Sequence, residues 1–304
     1  MLVWILLACA PEPETAGPLA WSYPLDDVLR ITDAQSLGTH NSYHLRDDPI
    51  VTDEWDYAHR PLAEQAGQQG VRQFELDIHA DGDTFRVYHA IGFDDVSTCD
   101  TLADCLGGVR RWSSANPAHF PLTFLLEPKD DAGGDPIDLA RLDADILAAW
   151  PDAFTPDELR GDAATVHDAV LSEGWPVLGA LRGRALFVLL DRDAHRDAYV
   201  GDGRPMFLDA RSVDDPLAAY FLHDDPFDAD IPAVVAAGFL VRTRIDDEGA
   251  DVAGLASGAH SLSTDHPDDH VLSDGAPVRC NPVSAPPECT AAALEDPTFV
   301  SADG

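Results

Sequence analysis

Four short polar clusters stand at the ends of apolar runs, and their side chains are those of acid/base chemistry beside a hard cation. They are Gly38-Thr39-His40-Asn41, Glu75-Leu76-Asp77-Ile78-His79, Val87-Tyr88-His89 and Glu127-Pro128-Lys129-Asp130. Asn41, Glu75, Asp77 and Glu127 offer the carboxylate and amide oxygens that calcium takes as ligands; zinc suits this predominantly hard set less well. Glu75 and Asp77 are two apart in an extended run, so both side chains point to one face. His40 and His89 close two further runs, where imidazoles that titrate near neutral pH can give and take protons. Lys129, the only lysine of the chain, follows Glu127 by two residues, where a compact ammonium can meet a phosphate as a point charge. His44, His59, His79, His119, His167, His195, His223, His266 and His270 lack such neighbours, and surface or capping roles are expected of them.

The elements that must position these clusters read as a (β/α)8 barrel in a single domain. Short apolar runs cover residues 35–39, 71–78, 85–89, 122–127, 185–190, 206–209, 238–242 and 260–263, most of them separated by helix-like stretches such as 137–150, 163–173 and 231–237. That alternation is the pattern of a parallel barrel, whose active site lies at the carboxyl ends of its strands. One connection breaks the pattern. Only residues 80–84 join the second and third runs, enough for a hairpin but too few for a crossover helix. A barrel distorted there is expected, with those two runs antiparallel or the third outside the closure.

At 304 residues the chain fits one large domain, and 45% hydrophobic residues suffice for a core. A formal net charge of -36 excludes a nucleic-acid partner, because the phosphate backbone would be repelled; most of this charge is a solvated acidic surface. The opening Met1-Leu2-Val3-Trp4-Ile5-Leu6-Leu7-Ala8-Cys9 is too short to span a membrane. Its Leu6-Leu7-Ala8-Cys9 resembles a bacterial lipobox, so export is expected, as a lipoprotein of the cell envelope or as a secreted protein, with residues 1–9 a signal and 10–29 a tether and entry to a domain at 30–304. The four other cysteines form two close pairs, Cys99 with Cys105 and Cys280 with Cys289. In an exported chain these read as local disulfides, and neither spacing is that of a zinc site.

Taken in order, Gly38-Thr39-His40-Asn41-Ser42-Tyr43, Glu75-Leu76-Asp77, His89 and Glu127-Pro128-Lys129-Asp130 resemble the motifs of the bacterial calcium-dependent branch of the phosphoinositide-specific phospholipase C family. The likeness continues through Gly174-Trp175-Pro176, Gly238-Phe239-Leu240-Val241-Arg242-Thr243-Arg244, Ser263-Thr264-Asp265 and Arg279-Cys280-Asn281-Pro282, over residues 30–290. The resemblance implies an irregular TIM barrel that acts as a monomer on a phosphoinositide at a membrane surface, attacking phosphorus with the inositol 2-hydroxyl to give diacylglycerol and a cyclic inositol phosphate that water can open. It implies Ca2+ held by Asn41, Glu75, Asp77 and Glu127. It further implies Glu75 as general base, His40 and His89 sharing phosphorane stabilisation and leaving-group protonation in either order, and Lys129 with Arg242 or Arg244 on the phosphate. Two rivals share parts of this pattern. A glycerophosphodiester phosphodiesterase would open with a His-Arg-Gly motif where this chain has His40-Asn41-Ser42, and a non-catalytic headgroup-binding protein would not need both histidines.

Overall fold

The computed structural model describes residues 23–130, 135–270, 272 and 277–295. The lipobox-like segment and most of the expected tether lie outside these residues. Among the described residues ten strands are formed: β1 (Ala34–Thr39), β2 (Val71–Asp81), β3 (Thr84–Val87), β4 (Leu122–Pro128), β5 (Ala185–Leu189), β6 (Met206–Leu208), β7 (Tyr220–Leu222), β8 (Leu240–Arg244), β9 (Ser261–Thr264) and β10 (Val278–Cys280). Eight of them run in the order β6-β5-β4-β2-β1-β9-β8-β7, with parallel neighbours throughout. Between the two ends a single parallel bridge, Asp209 to Tyr220, nearly closes the barrel.

The third run is the irregular one, as the short connection requires. β3 pairs antiparallel with the far end of β2, from Ile78 opposite Val87 to Asp81 opposite Thr84, and stands off the barrel path. The two-residue turn between them is possible because Gly82 takes φ 56°, where a side chain would be strained. The eighth barrel strand is instead Tyr220–Leu222, which lies outside the runs identified from the sequence. Three residues carry too little periodicity to announce a strand.

Alternation along the strands sorts the side chains into two layers. On β2, Phe74, Leu76 and Ile78 pack with Phe124, Leu126, Phe187 and Leu189 against Leu106 and Val109 of the helix Leu102–Ala115 and Leu142 and Ile146 of the helix Leu139–Ala149. Gln73, Glu75 and Asp77 necessarily take the opposite face. The interior approach is tight beside Gly38: a Cβ there would come within 2.1 Å of Gln73 Oε1. At the amino-terminal end of the barrel, Arg72 donates from Nε to Glu295 Oε2 at 2.8 Å and from Nη2 to Oε1 at 2.9 Å, both side chains fully buried. This fork ties the chain's last described residue to the start of β2, on the face away from the polar clusters.

Both expected disulfides are present, Cys99–Cys105 and Cys280–Cys289. The first staples the loop after β3 to its following helix, and the second closes the loop after β10, which lies antiparallel on β1. Among the described residues no helix is long and apolar enough to cross a membrane.

Candidate active site

The turn that leaves β1 is built by a buried polar network. Thr39 Oγ1 lies 2.7 Å from Ser42 Oγ and 2.8 Å from Gln65 Oε1, while Gln65 Nε2 donates to the Ser42 carbonyl at 2.6 Å. Ser42 is latched to β2 by its backbone N–H on the Glu75 carbonyl and by its hydroxyl, which accepts from the Glu75 N–H at 2.8 Å. Asn41 can therefore be held in the left-handed region at φ 41°, which asparagine tolerates better than most residues. The turn throws His40 and Asn41 over the barrel mouth beside Glu75.

His40 is oriented from the end of the neighbouring strand β9. Its Nδ1 lies 2.8 Å from Asp265 Oδ1, and Asp265 Oδ2 accepts from Arg244 Nη2 at 2.8 Å. Burial raises the Asp265 pKa, but the hydrogen bond from His40 and the charge of Arg244 outweigh it, and the carboxyl is held below its ordinary value. With Nδ1 so engaged, Nε2 faces the site, 3.8 Å from Glu75 Oε1 and 3.5 Å from Arg244 Nη1. His59 braces the backbone: its Nε2 donates to the His40 carbonyl at 2.9 Å, and burial lowers its pKa to about 4, so it stays neutral near pH 7.

His89 lines the same mouth, with its Nδ1 2.8 Å from Asp94 Oδ2. The turn that makes this contact is closed by reciprocal backbone hydrogen bonds between Ala90 and Asp94, both 2.8 Å. Asp94 is buried and its other oxygen lies 2.8 Å from Nε2 of the buried His44. Each histidine expected to act is thus backed by a carboxylate, the arrangement that fixes a tautomer and ring orientation. Four expectations change. His44, His59, His79 and His119 are not surface or capping residues but buried; His44 and His59 support this site, brought there by turns that sequence spacing does not reveal, while His79 Nε2 lies 2.9 Å from the Tyr88 carbonyl and His119 Nε2 2.8 Å from Ser113 Oγ.

The carboxylates meet as expected. Glu75 and Asp77 on β2 and Glu127 on β4 each offer an oxygen within 4.8 Å of the others, and the register places Asp77 directly beside Glu127. Asp77 is buried with no hydrogen-bond donor aligned on either oxygen. Desolvation raises its pKa well above the usual range, opposed by Lys129 and reinforced by Glu127 and Glu75. A buried carboxylate with unsatisfied oxygens among other hard donors is what a calcium site requires. Lys129 Nζ lies 2.5 Å from Glu127 Oε1 and 3.3 Å from Asp77 Oδ2, and these charges raise its pKa although burial works against it. Arg242, buried, donates from Nη2 to Glu75 Oε2 at 2.6 Å and pairs through Nη1 with Asp224. Asn41 lines the mouth of about 740 Å³ together with His40, Tyr57, His89 and Arg244.

Sequence reasoning missed Asp94 and assigned no role to Asp265, although Asp265 follows a strand run as the other clusters do. It also missed Arg192 and Asp209, paired at 2.5 Å, which line a second hollow of about 410 Å³ shared with His40, Glu75 and Arg242.

The family model described as "Phosphoinositide phospholipase C, Ca2+-dependent" matches residues 29–84 and 82–282. The chain belongs to this family. Solved structures of calcium-dependent phosphoinositide-specific phospholipases C share the fold: the Pseudomonas sp. enzyme in its myoinositol complex superposes with a TM-score of 0.64 at 17% identity, covering 84% of this chain and 97% of that one. The Streptomyces antibioticus enzyme gives 0.60 at 22% identity over 79% of this chain and 97% of that one. No curated protein matches in sequence. The family is calcium-dependent, in keeping with the carboxylate cluster of Glu75, Asp77 and Glu127.

Proposed function

We propose that this phospholipase C family member cleaves the glycerol-side phosphodiester of phosphatidylinositol, acting as a monomer at a membrane surface. The observation that carries the reading is the placing of two carboxylate-backed histidines on one mouth beside a cluster of three acidic ligands. Asn41, Glu75, Asp77 and Glu127 would hold calcium. When bound, the ion lowers the pKa of the attacking hydroxyl and neutralises charge gathering on the phosphoryl oxygens.

The chain's own groups then divide the work. Glu75 accepts the proton of the inositol 2-hydroxyl; Arg242 fixes Oε2 and leaves Oε1 turned toward His40. As the new oxygen–phosphorus bond forms and the glycerol oxygen departs, His40 Nε2 and Arg244 stabilise the phosphoryl oxygens. His89, entering the step protonated, gives its Nε2 proton to the leaving diacylglycerol oxygen. Lys129 and Arg242 supply further positive charge to the phosphate. The hollow lined by Arg192 and Asp209 offers donors and acceptors to a polyhydroxylated headgroup. Ile91 and Phe93, in the loop after His89, and Phe227, next in sequence to the mouth-lining Pro226, are exposed apolar side chains suited to a lipid surface. Two disulfides agree with export, as a cell-envelope lipoprotein or a secreted protein.

Phosphorus NMR of the products from phosphatidylinositol vesicles, with calcium and with chelator, tests the reading. A calcium-dependent cyclic or inositol phosphate is expected. A glycerol phosphate product, or none, would sink it.

A further inference from the structure

Asp94 accepts from two imidazoles, and only one of them belongs to the mouth. Its Oδ2 takes His89 Nδ1 and its Oδ1 takes His44 Nε2, each at 2.8 Å, while its side chain is 1% exposed. The opposite nitrogen of His44, Nδ1, is buried with no hydrogen-bond partner. A proton there would be a buried donor without an acceptor, which is costly, so the single proton of His44 sits on Nε2 and is donated to Asp94. The ring is clamped by stacking on Tyr57, with centroids 4.2 Å apart. Its own backbone N–H donates to the Asn41 carbonyl at 2.8 Å. His44 thus reaches from the turn after β1 to the separate turn that carries His89.

An aspartate anchored at one oxygen can still swing, and a swing would free His89 Nδ1 to lose its proton in favour of the other tautomer. Satisfying both oxygens with donors on fixed elements removes that freedom. We propose that His44 is a positioning residue for His89, holding the Asp94 carboxylate so that His89 keeps Nδ1 protonated and turns Nε2 to the leaving oxygen. This inference rests on the phospholipase reading above.

Two substitutions separate positioning from simple packing. His44→Phe keeps a ring on Tyr57 and removes the donor; His44→Gln restores an N–H donor without the ring. With phosphatidylinositol, whose leaving group needs a proton, His44→Phe should lower kcat by about tenfold or more with KM and calcium half-saturation unchanged, part of the 10²–10⁴-fold that general acid catalysis supplies. With an inositol phosphodiester of p-nitrophenol, which leaves without help, the loss should be less than about twofold. His44→Gln should recover kcat on the lipid to within about threefold of wild type, the size of one modest hydrogen bond. Equal losses on the two substrates, or no recovery by Gln, would overturn the proposal. A readout independent of turnover is the ¹⁵N ring shifts of His89 in the full chain: Nδ1-protonated in wild type, mixed tautomers in His44→Phe. Unchanged shifts also overturn it. Should wild type cleave neither substrate, the phospholipase reading fails and the ring shifts alone decide the role of His44.

Discussion

Replacing Asp77 by Asn should move two measurements in opposite directions. In the calcium-free protein Asp77 is pressed by Glu75 and Glu127, whose oxygens approach within 4.8 Å, and is attracted by Lys129 Nζ at 3.3 Å. At an effective dielectric of about 20, each like-charge pair costs roughly 3.5 kcal/mol and the ammonium offsets roughly 5, leaving a net repulsion of about 2 kcal/mol before desolvation is counted. Asn is nearly isosteric and uncharged. Without calcium, therefore, Asp77→Asn should melt several degrees higher, since about 1 kcal/mol moves Tm by roughly 2 °C in a chain of this size. The pH dependence has a definite sign: because the folded-state pKa of Asp77 is raised above 3.8, the calcium-free wild type should gain stability as pH falls through that raised pKa toward 3.8, and the variant should lack this gain. With calcium the order reverses. Losing one full charge from the ligand set should weaken the ion by about 100-fold, near 3 kcal/mol, so that saturating calcium stabilises wild type far more than the variant. Scanning calorimetry with chelator and with a calcium series reads both effects in one experiment. A variant that melts at or below wild type in chelator and binds calcium equally well would show that Asp77 is no part of a cation site.

His89→Ala should leave calcium binding nearly intact yet slow turnover of the lipid by about 10²-fold or more, and slow a substrate with a better leaving group much less; calorimetric titration beside initial rates checks both. Asp265→Asn should lose the stability contributed by His40 and Arg244. Because the Asp265 pKa is lowered in the fold, the difference from wild type should be complete above pH 3.8 and vanish as pH falls through the lowered value, as read from melting curves at stepped pH. Glu295→Gln leaves the buried Arg72 uncompensated and should cost about 3–5 kcal/mol by urea unfolding with little change in m, while kinetics at the opposite barrel face stay near wild type. Cys9→Ser should move the full-length protein from the detergent phase to the aqueous phase in a lipoprotein-processing host; an unmodified Cys9 by intact mass would rule lipidation out.

Much of the site is written in local pattern because parallel barrels put chemistry where apolar runs stop. His40, Glu75, Asp77, His89 and Glu127 each follow from such a run, and the two-residue spacing of Glu75 and Asp77 alone puts both on one face. The brevity of residues 80–84 likewise forces the β2–β3 hairpin, and the close cysteine pairs limit themselves to local links. What the chain order could not reveal is which distant groups satisfy these side chains. The existence of β7 rests on three residues gaining hydrogen bonds from β8 and the bridge at Asp209, a stabilisation that exists only once the sheet has curled. Asp265 reaches His40 because β9 lies beside β1, and Arg242 reaches Glu75 across the barrel interior, at separations of 225 and 167 residues. Asp94 and His44 are set by two turns packing together, 50 residues apart. Residue type and spacing dictate which groups must be buried and toward which face; the partner that neutralises or orients each one depends on closure of the barrel, because only there do strand ends remote in sequence come within hydrogen-bond reach.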